Sequence, residues 1–232
     1  MVGGALFLAL VRIIESIRVI DFHFGIKIQG MGRFMSHQFR LKVEDTALLV
    51  VDLQEKLLPK IIQADEVVRN ASFLVNAAKV FGVPVLATEQ YPKGLGPTVE
   101  PIRALLNTVW EKQTFSAVGE GGALDFLKSD ARIKVLVVGI EAHICVMQTV
   151  LDLLNQGFHV FVCVDAVSSR YAIDVKIALK RMQQAGAILV TAETCVYEWL
   201  ETAANPAFKE ISAMVQERMR QIGPQGNALL NK

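Results

Sequence analysis

No CxxC pair, no GxSxG elbow and no histidine pair at ligand spacing occurs in this 232-residue sequence. The first absence, with cysteines only at 145, 163 and 195, argues against a zinc ribbon or a secreted disulfide framework and points to a reducing, cytoplasmic setting. The second removes the nucleophile turn of serine α/β-hydrolases. The third leaves His23, His37, His143 and His159 without a metal-binding pattern, so no metal is expected. Dinucleotide binding lacks its signature as well. Gly119-Glu120-Gly121-Gly122 follows no strand in GxGxxG form, and Gly94-Leu95-Gly96-Pro97 has no phosphate-cradling lysine after it, so no cofactor is expected. Net charge is only +1 with no basic block, which is not the footprint of a nucleic-acid binder.

Membrane-length apolar runs are missing too. Residues 2–11, VGGALFLALV, are too short to span a bilayer, and Arg12, Glu15 and Arg18 follow them. A secretory signal would carry its positive charge before the apolar stretch. Residues 5–20 fit an amphipathic helix, which keeps a mitochondrial leader as the alternative to a cytoplasmic protein with an N-terminal extension. Residues 1–40 are therefore set outside the core fold, the domain is placed at 41–222, and 223–232 read as a loose tail.

What is present is an alternation. With 52% hydrophobic and 20% charged residues, the chain can bury one large core. Thr46 to Val51 is a continuous apolar run ending at Asp52, the habit of a strand buried on both faces. Val67, Ala71, Leu74, Ala78 and Phe81 recur at helical spacing over 65–81, and Gly82 stops them. Strands are then expected at Val83–Thr88, Ile133–Gly139, Phe158–Val164 and Ala187–Thr191. Between them fall a loop at Pro92–Pro97, a helix at Ile144–Gln156 and a helix capped by Ser168 or Ser169 and running to Ala185. Helical material continues to Gln221. Such βαβ units build a mostly parallel sheet whose ligand crevice lies beyond the carboxyl ends of the strands. Asp52, Glu89, Glu141 and Asp165 are all expected at that edge.

Three residues there suit chemistry. Cys145 opens a helix, where unpaired N–H groups favour a thiolate, although a buried free cysteine is commonly just a small hydrophobe. Asp52 could take its proton, or merely cap a helix. Lys112, among Trp110, Phe115 and Ser116, could steady both charges, or be an ordinary solvated lysine. Cys163 reads as core, and Cys195 lies near a helix start. The helix at 144–156 is apolar over more than one stripe, so it is either central to a core or covered by a second subunit, and a homo-oligomer with a helical layer at its interface is expected.

Several segments together resemble the isochorismatase-like cysteine hydrolases, most nearly the isochorismatase domain-containing proteins. They are Leu48-Leu49-Val50-Val51-Asp52-Leu53-Gln54, Thr88 to Gly96, Lys112 to Ser116, Gly139 to Val146 and Asp165 to Arg170, and the likeness covers roughly residues 42–205. The resemblance implies a Rossmann-like α/β/α sandwich with a six-stranded parallel sheet. It implies a catalytic triad of Asp52, Lys112 and Cys145, and a cis peptide between Ile140 and Glu141. The backbone N–H groups of Glu141 and Cys145 would then form an oxyanion hole. Gln54, Tyr91, Phe115 and His143 are pocket candidates. The implied cycle is thiolate attack on an amide or related carbonyl of a small molecule, then hydrolysis of an acyl-enzyme, in a homo-oligomer. Two relatives do not lend their activities. Nicotinamidases carry an Asp/His metal site that has no counterpart here, because no histidine lies between His37 and His143, and true isochorismatases lack the cysteine.

Overall fold

The computed structural model describes residues 38–119, 122–130 and 132–222, so residues 1–37 of the N-terminal extension and the tail lie outside the described residues. Six strands form one parallel sheet: β1 Thr46–Val51, β2 Val85–Gln90, β3 Val109–Lys112, β4 Lys134–Ile140, β5 His159–Ser168 and β6 Ile188–Val190. Their order is β3-β2-β1-β4-β5-β6. In this order the winding reverses between β1 and β4, and such a switch point opens a crevice at the carboxyl ends.

The apolar strands alternate between two cores because each is covered on both faces. Leu48 and Val50 of β1 join one core with α1 (Ala64–Phe81), α6 (Ala192–Leu200) and α7 (Phe208–Ile222). Ala47, Leu49 and Val51 join the other, with α3 (Ala123–Ser129), α4 (Met147–Asn155) and α5 (Ala172–Gln184). Gly82 closes α1 in the left-handed conformation.

Four expectations need correction. The loop at Pro92–Pro97 contains a single helical turn, α2 (Pro92–Leu95), opened by its proline. The strand expected to stop at Val164 runs on to Ser168, so neither Ser168 nor Ser169 caps the next helix; Tyr171 holds that position. Asp165 therefore does not end a strand. It is buried within β5, where its Oδ2 accepts from Arg218 Nη2 at 3.0 Å and its Oδ1 from the Ala192 N–H at 2.8 Å, and these partners offset its desolvation. Finally, the apolar helix after Cys145 needs no second subunit. Met147, Val150 and Leu153 are buried in the second core, Leu151 and Leu154 pack against it, and Gln148, Asp152 and Asn155 face outward.

One glycine is sterically required. At Gly139 φ is +122°, and a Cβ would lie 2.0 Å from the Val51 carbonyl oxygen and 2.7 Å from the Val51 nitrogen. Only glycine lets β4 approach β1 this closely, one residue before Asp52.

Candidate active site

Asp52 leaves β1 with φ 51°, an uncommon conformation for a residue with a side chain, and is fully buried. Its N–H donates to the Thr88 carbonyl at 3.1 Å, and the Thr88 hydroxyl donates to its Oδ1 at 2.8 Å. Lys112, the last residue of β3, reaches across β2 and places Nζ 2.7 Å from Asp52 Oδ2. Both members of this ion pair are almost wholly out of solvent. The ammonium also lies within donating distance of Gln90 Oε1 (2.7 Å) and of the Phe115 (3.0 Å) and Thr114 (3.2 Å) carbonyls. A buried pair is tolerable only when its remaining polar atoms are satisfied, and here they are.

The nucleophile candidate stands across the switch point. After β4 the Ile140–Glu141 peptide is cis, and residues Ala142–Val146 form a π-helical turn in which the Val146 N–H donates to the Glu141 carbonyl at 3.2 Å. Cys145 on this turn is buried and lies within electrostatic reach of Asp52 and Lys112. Burial pushes the Cys145 thiol up to about 12; the Asp52 charge and hydrogen bond add to this, while Lys112 and the Glu141 N–H oppose it. The resting group is thus a thiol. The helix start favours a thiolate, whereas desolvation and the Asp52 charge favour the thiol.

Of the pocket candidates, two are tied down by side-chain hydrogen bonds. The Gln54 carboxamide is fully buried and spent on backbone: Nε2 donates to the carbonyls of Gly96 (2.7 Å) and Gln90 (3.0 Å), and Oε1 accepts from the Gln90 N–H (2.8 Å). His143 Nδ1 meets the Ser169 hydroxyl at 2.9 Å, and its Nε2 lies 3.8 Å from Asp174, so it joins the π turn to α5. Tyr91 and Phe115 keep exposed rings beside the Lys112 segment; the Tyr91 N–H donates to the Lys112 carbonyl at 3.0 Å. Glu141 is held by Arg170, whose Nε donates to Oε2 at 3.0 Å. Glu89 accepts from the Thr98 N–H and hydroxyl and shapes the loop. Sequence reasoning missed Thr88 and Gln90, the direct partners of Asp52 and Lys112; their only signal was a place at the end of β2. Among the described residues no group of three or more His, Cys, Asp or Glu side chains is placed to hold a metal ion.

A model of the isochorismatase domain matches residues 46–194, a span that contains all of these residues. The chain belongs to the isochorismatase family. It is 39% identical over 188 residues to isochorismatase domain-containing protein 2 of Rattus norvegicus, covering 79% of this chain and 87% of that one. To the Homo sapiens protein of the same name it is 39% identical over 173 residues, covering 74% and 83%. Among solved structures, the MAR1 ribonuclease of Caenorhabditis elegans shares 40% identity at a TM-score of 0.73, over 76% of this chain and 92% of the other. The YcaC gene product of Escherichia coli, described as an octameric hydrolase of unknown specificity, shares 26% at 0.74, over 78% and 92%. YcaC from Pseudomonas aeruginosa, solved with hexane-2,5-diol and covalent acrylamide, shares 25% at 0.72, over 81% and 98%. The family and the six-stranded parallel sheet agree with the resemblance read from the sequence. The family also marks the chain as having an isochorismatase-type hydrolase fold.

Proposed function

We propose that this protein hydrolyses an amide or related carbonyl of a small molecule through a covalent acyl-enzyme on Cys145. The observation that carries the reading is the buried Asp52–Lys112 pair, with the buried Cys145 thiol close enough to feel the charges of both. Asp52 takes the thiol proton as sulfur attacks the carbonyl carbon, and the backbone N–H groups of Glu141 and Cys145 receive the developing oxyanion. The C–N or C–O bond breaks, the leaving group takes the proton from Asp52, and Asp52 then draws a proton from the water that cleaves the thioester. Lys112 holds the Asp52 carboxylate in place, with Nζ 2.7 Å from Oδ2, through these transfers. Because the thiol rests protonated, attack and proton transfer are coupled rather than sequential.

The covalent acrylamide in the Pseudomonas relative fits a family site that forms covalent bonds to carbon electrophiles. The ribonuclease name of the Caenorhabditis relative is a second reading, but a net charge of +1 offers little for a phosphate backbone. A screen of small amides and esters tests the proposal, with RNA as a parallel arm. Turnover with an acyl adduct on the Cys145 peptide, both abolished in Cys145→Ala, is expected. Turnover that survives in Cys145→Ala, or RNA cleavage in its place, would overturn the reading.

The proposed hydrolase domain is 41–222; the burial of Leu41 and its N–H bond to Glu198 at 2.8 Å support that start. The three free cysteines favour a reducing cytoplasm.

A further inference from the structure

The geometry points to Thr149 as a positioning residue for Cys145, an assignment that rests on the acyl-enzyme reading and adds a residue to it. Thr149 lies in the first turn of α4, four residues beyond the nucleophile, and is fully buried. Its hydroxyl makes two bonds of fixed direction. It donates to the Cys145 carbonyl at 2.6 Å, because a carbonyl can only accept. It accepts from the Ala117 N–H at 2.9 Å, because an amide can only donate. One hydroxyl, with both its proton and a lone pair engaged, therefore joins the nucleophile's own peptide unit to a segment 32 residues away.

That segment is the one that holds the lysine. The Lys112 ammonium rests on the Thr114 and Phe115 carbonyls, immediately before Ala117. Within the segment, the Thr114 hydroxyl donates to the Ser116 carbonyl at 2.9 Å, and Ser116 Oγ accepts from the Val118 N–H at 3.2 Å. These short-range bonds stiffen the loop but do not fix its distance from the π turn. The Thr149 hydroxyl does. It couples the carbonyls that locate Lys112, and through Lys112 the Asp52 carboxylate, to the turn that carries the thiol. An i−4 hydroxyl bond alone is a common helix feature; the long-range Ala117 bond gives this one its role. Valine has the volume of threonine but can make neither bond, and it strands a buried N–H. Serine can make both and lacks only a methyl group.

The test compares the full-length wild type with Thr149→Val and Thr149→Ser. The probe is p-nitrophenyl acetate, and the readouts are the nitrophenolate burst rate and the adduct on the Cys145 peptide. The valine variant should acylate slower by about tenfold or more, with faster amide exchange across residues 113–119, as expected when reacting groups lose their register. The serine variant should stay within about twofold of wild type, since it keeps both hydrogen bonds. Should valine fail to fold, Thr149→Ala removes the same bonds without filling the site and is read in the same way. A valine or alanine variant that acylates at the wild-type rate, or a serine variant as slow as valine, overturns the assignment. If the wild type forms no acyl adduct, the acyl-enzyme reading falls. Iodoacetamide alkylation of Cys145 in the same proteins then decides the Thr149 assignment by the same criteria.

Discussion

The surroundings of Cys145 set where its proton rests. Burial and the neighbouring carboxylate raise the thiol from the ordinary 9.0 to about 12, and Lys112 works the other way. Alkylation of Cys145 should therefore keep rising with pH above the ordinary thiol value rather than level off there. Asp52→Asn removes a charge that raises the thiol, so its midpoint should fall; Lys112→Met should raise it further. Identical profiles in the three proteins would show that the groups are not coupled. The linkage has a sign. The unfolded chain ionises its thiol from about 9 while the folded one holds the proton to about 12, so this contribution to stability is present at neutral pH and declines across that interval. Lys112→Met has a second consequence, because it leaves Asp52 fully buried without its cation. Loss of about 3–5 kcal/mol in urea unfolding is expected, together with turnover lower by about a hundredfold or more as Asp52 gives up its role as base. A variant that keeps wild-type turnover would remove Lys112 from the site.

At the level of elements, the site depends on how closely β4 approaches β1. Gly139→Ala would drive a methyl group into the Val51 backbone, next to Asp52. We expect a loss of about 3 kcal/mol by chemical denaturation, with activity falling further than stability alone explains, because Asp52 must move. Unchanged stability would mean that the two strands can separate without cost. The same elements show what could be read beforehand. The runs ending at Asp52 and Gly139 were plain because strands covered on both faces lack polar interruption. β3 was not read as a strand: Val109–Lys112 is four residues long, lies at the sheet edge and is only partly covered, so no apolar run marks it. Lys112 was found through the family pattern and its aromatic neighbours, not through its strand. Asp165 was misplaced because its partners, Arg218 and the Ala192 N–H, come from α7 and the start of α6, distant in sequence. His143 and Gln54 were named as pocket candidates without sight of their hydrogen bonds. Their partners Ser169 and Asp174, or Gly96 and Gln90, meet them only in the fold.

At the scale of the whole molecule, the question is what covers α5. Its first turns expose Ile173 (62%) and Ile177 (48%), which share a face at helical spacing, and Tyr171 before them is 63% exposed. Arg170, which anchors Glu141 beside the nucleophile, adjoins this patch in sequence. A contiguous apolar patch of this kind marks a contact surface. The homo-oligomer expected from the sequence makes this face the one to test as a contact with a second copy of this chain. The helix after Cys145 buries Met147, Val150 and Leu153 in its own core and exposes Gln148, Asp152 and Asn155, so α5 offers the more apolar exposed face. Placing like charges at the centre of a self-complementary contact forces them together across the symmetry axis. Ile173→Glu with Ile177→Lys would allow cross-pairing, so the informative variant carries Glu at both positions. Sedimentation of the wild type should show a dimer or larger species at micromolar concentration, and the double glutamate variant should sediment as a folded monomer. A wild type that sediments as a monomer ends the proposal, and a glutamate variant that stays assembled moves the interface to another face.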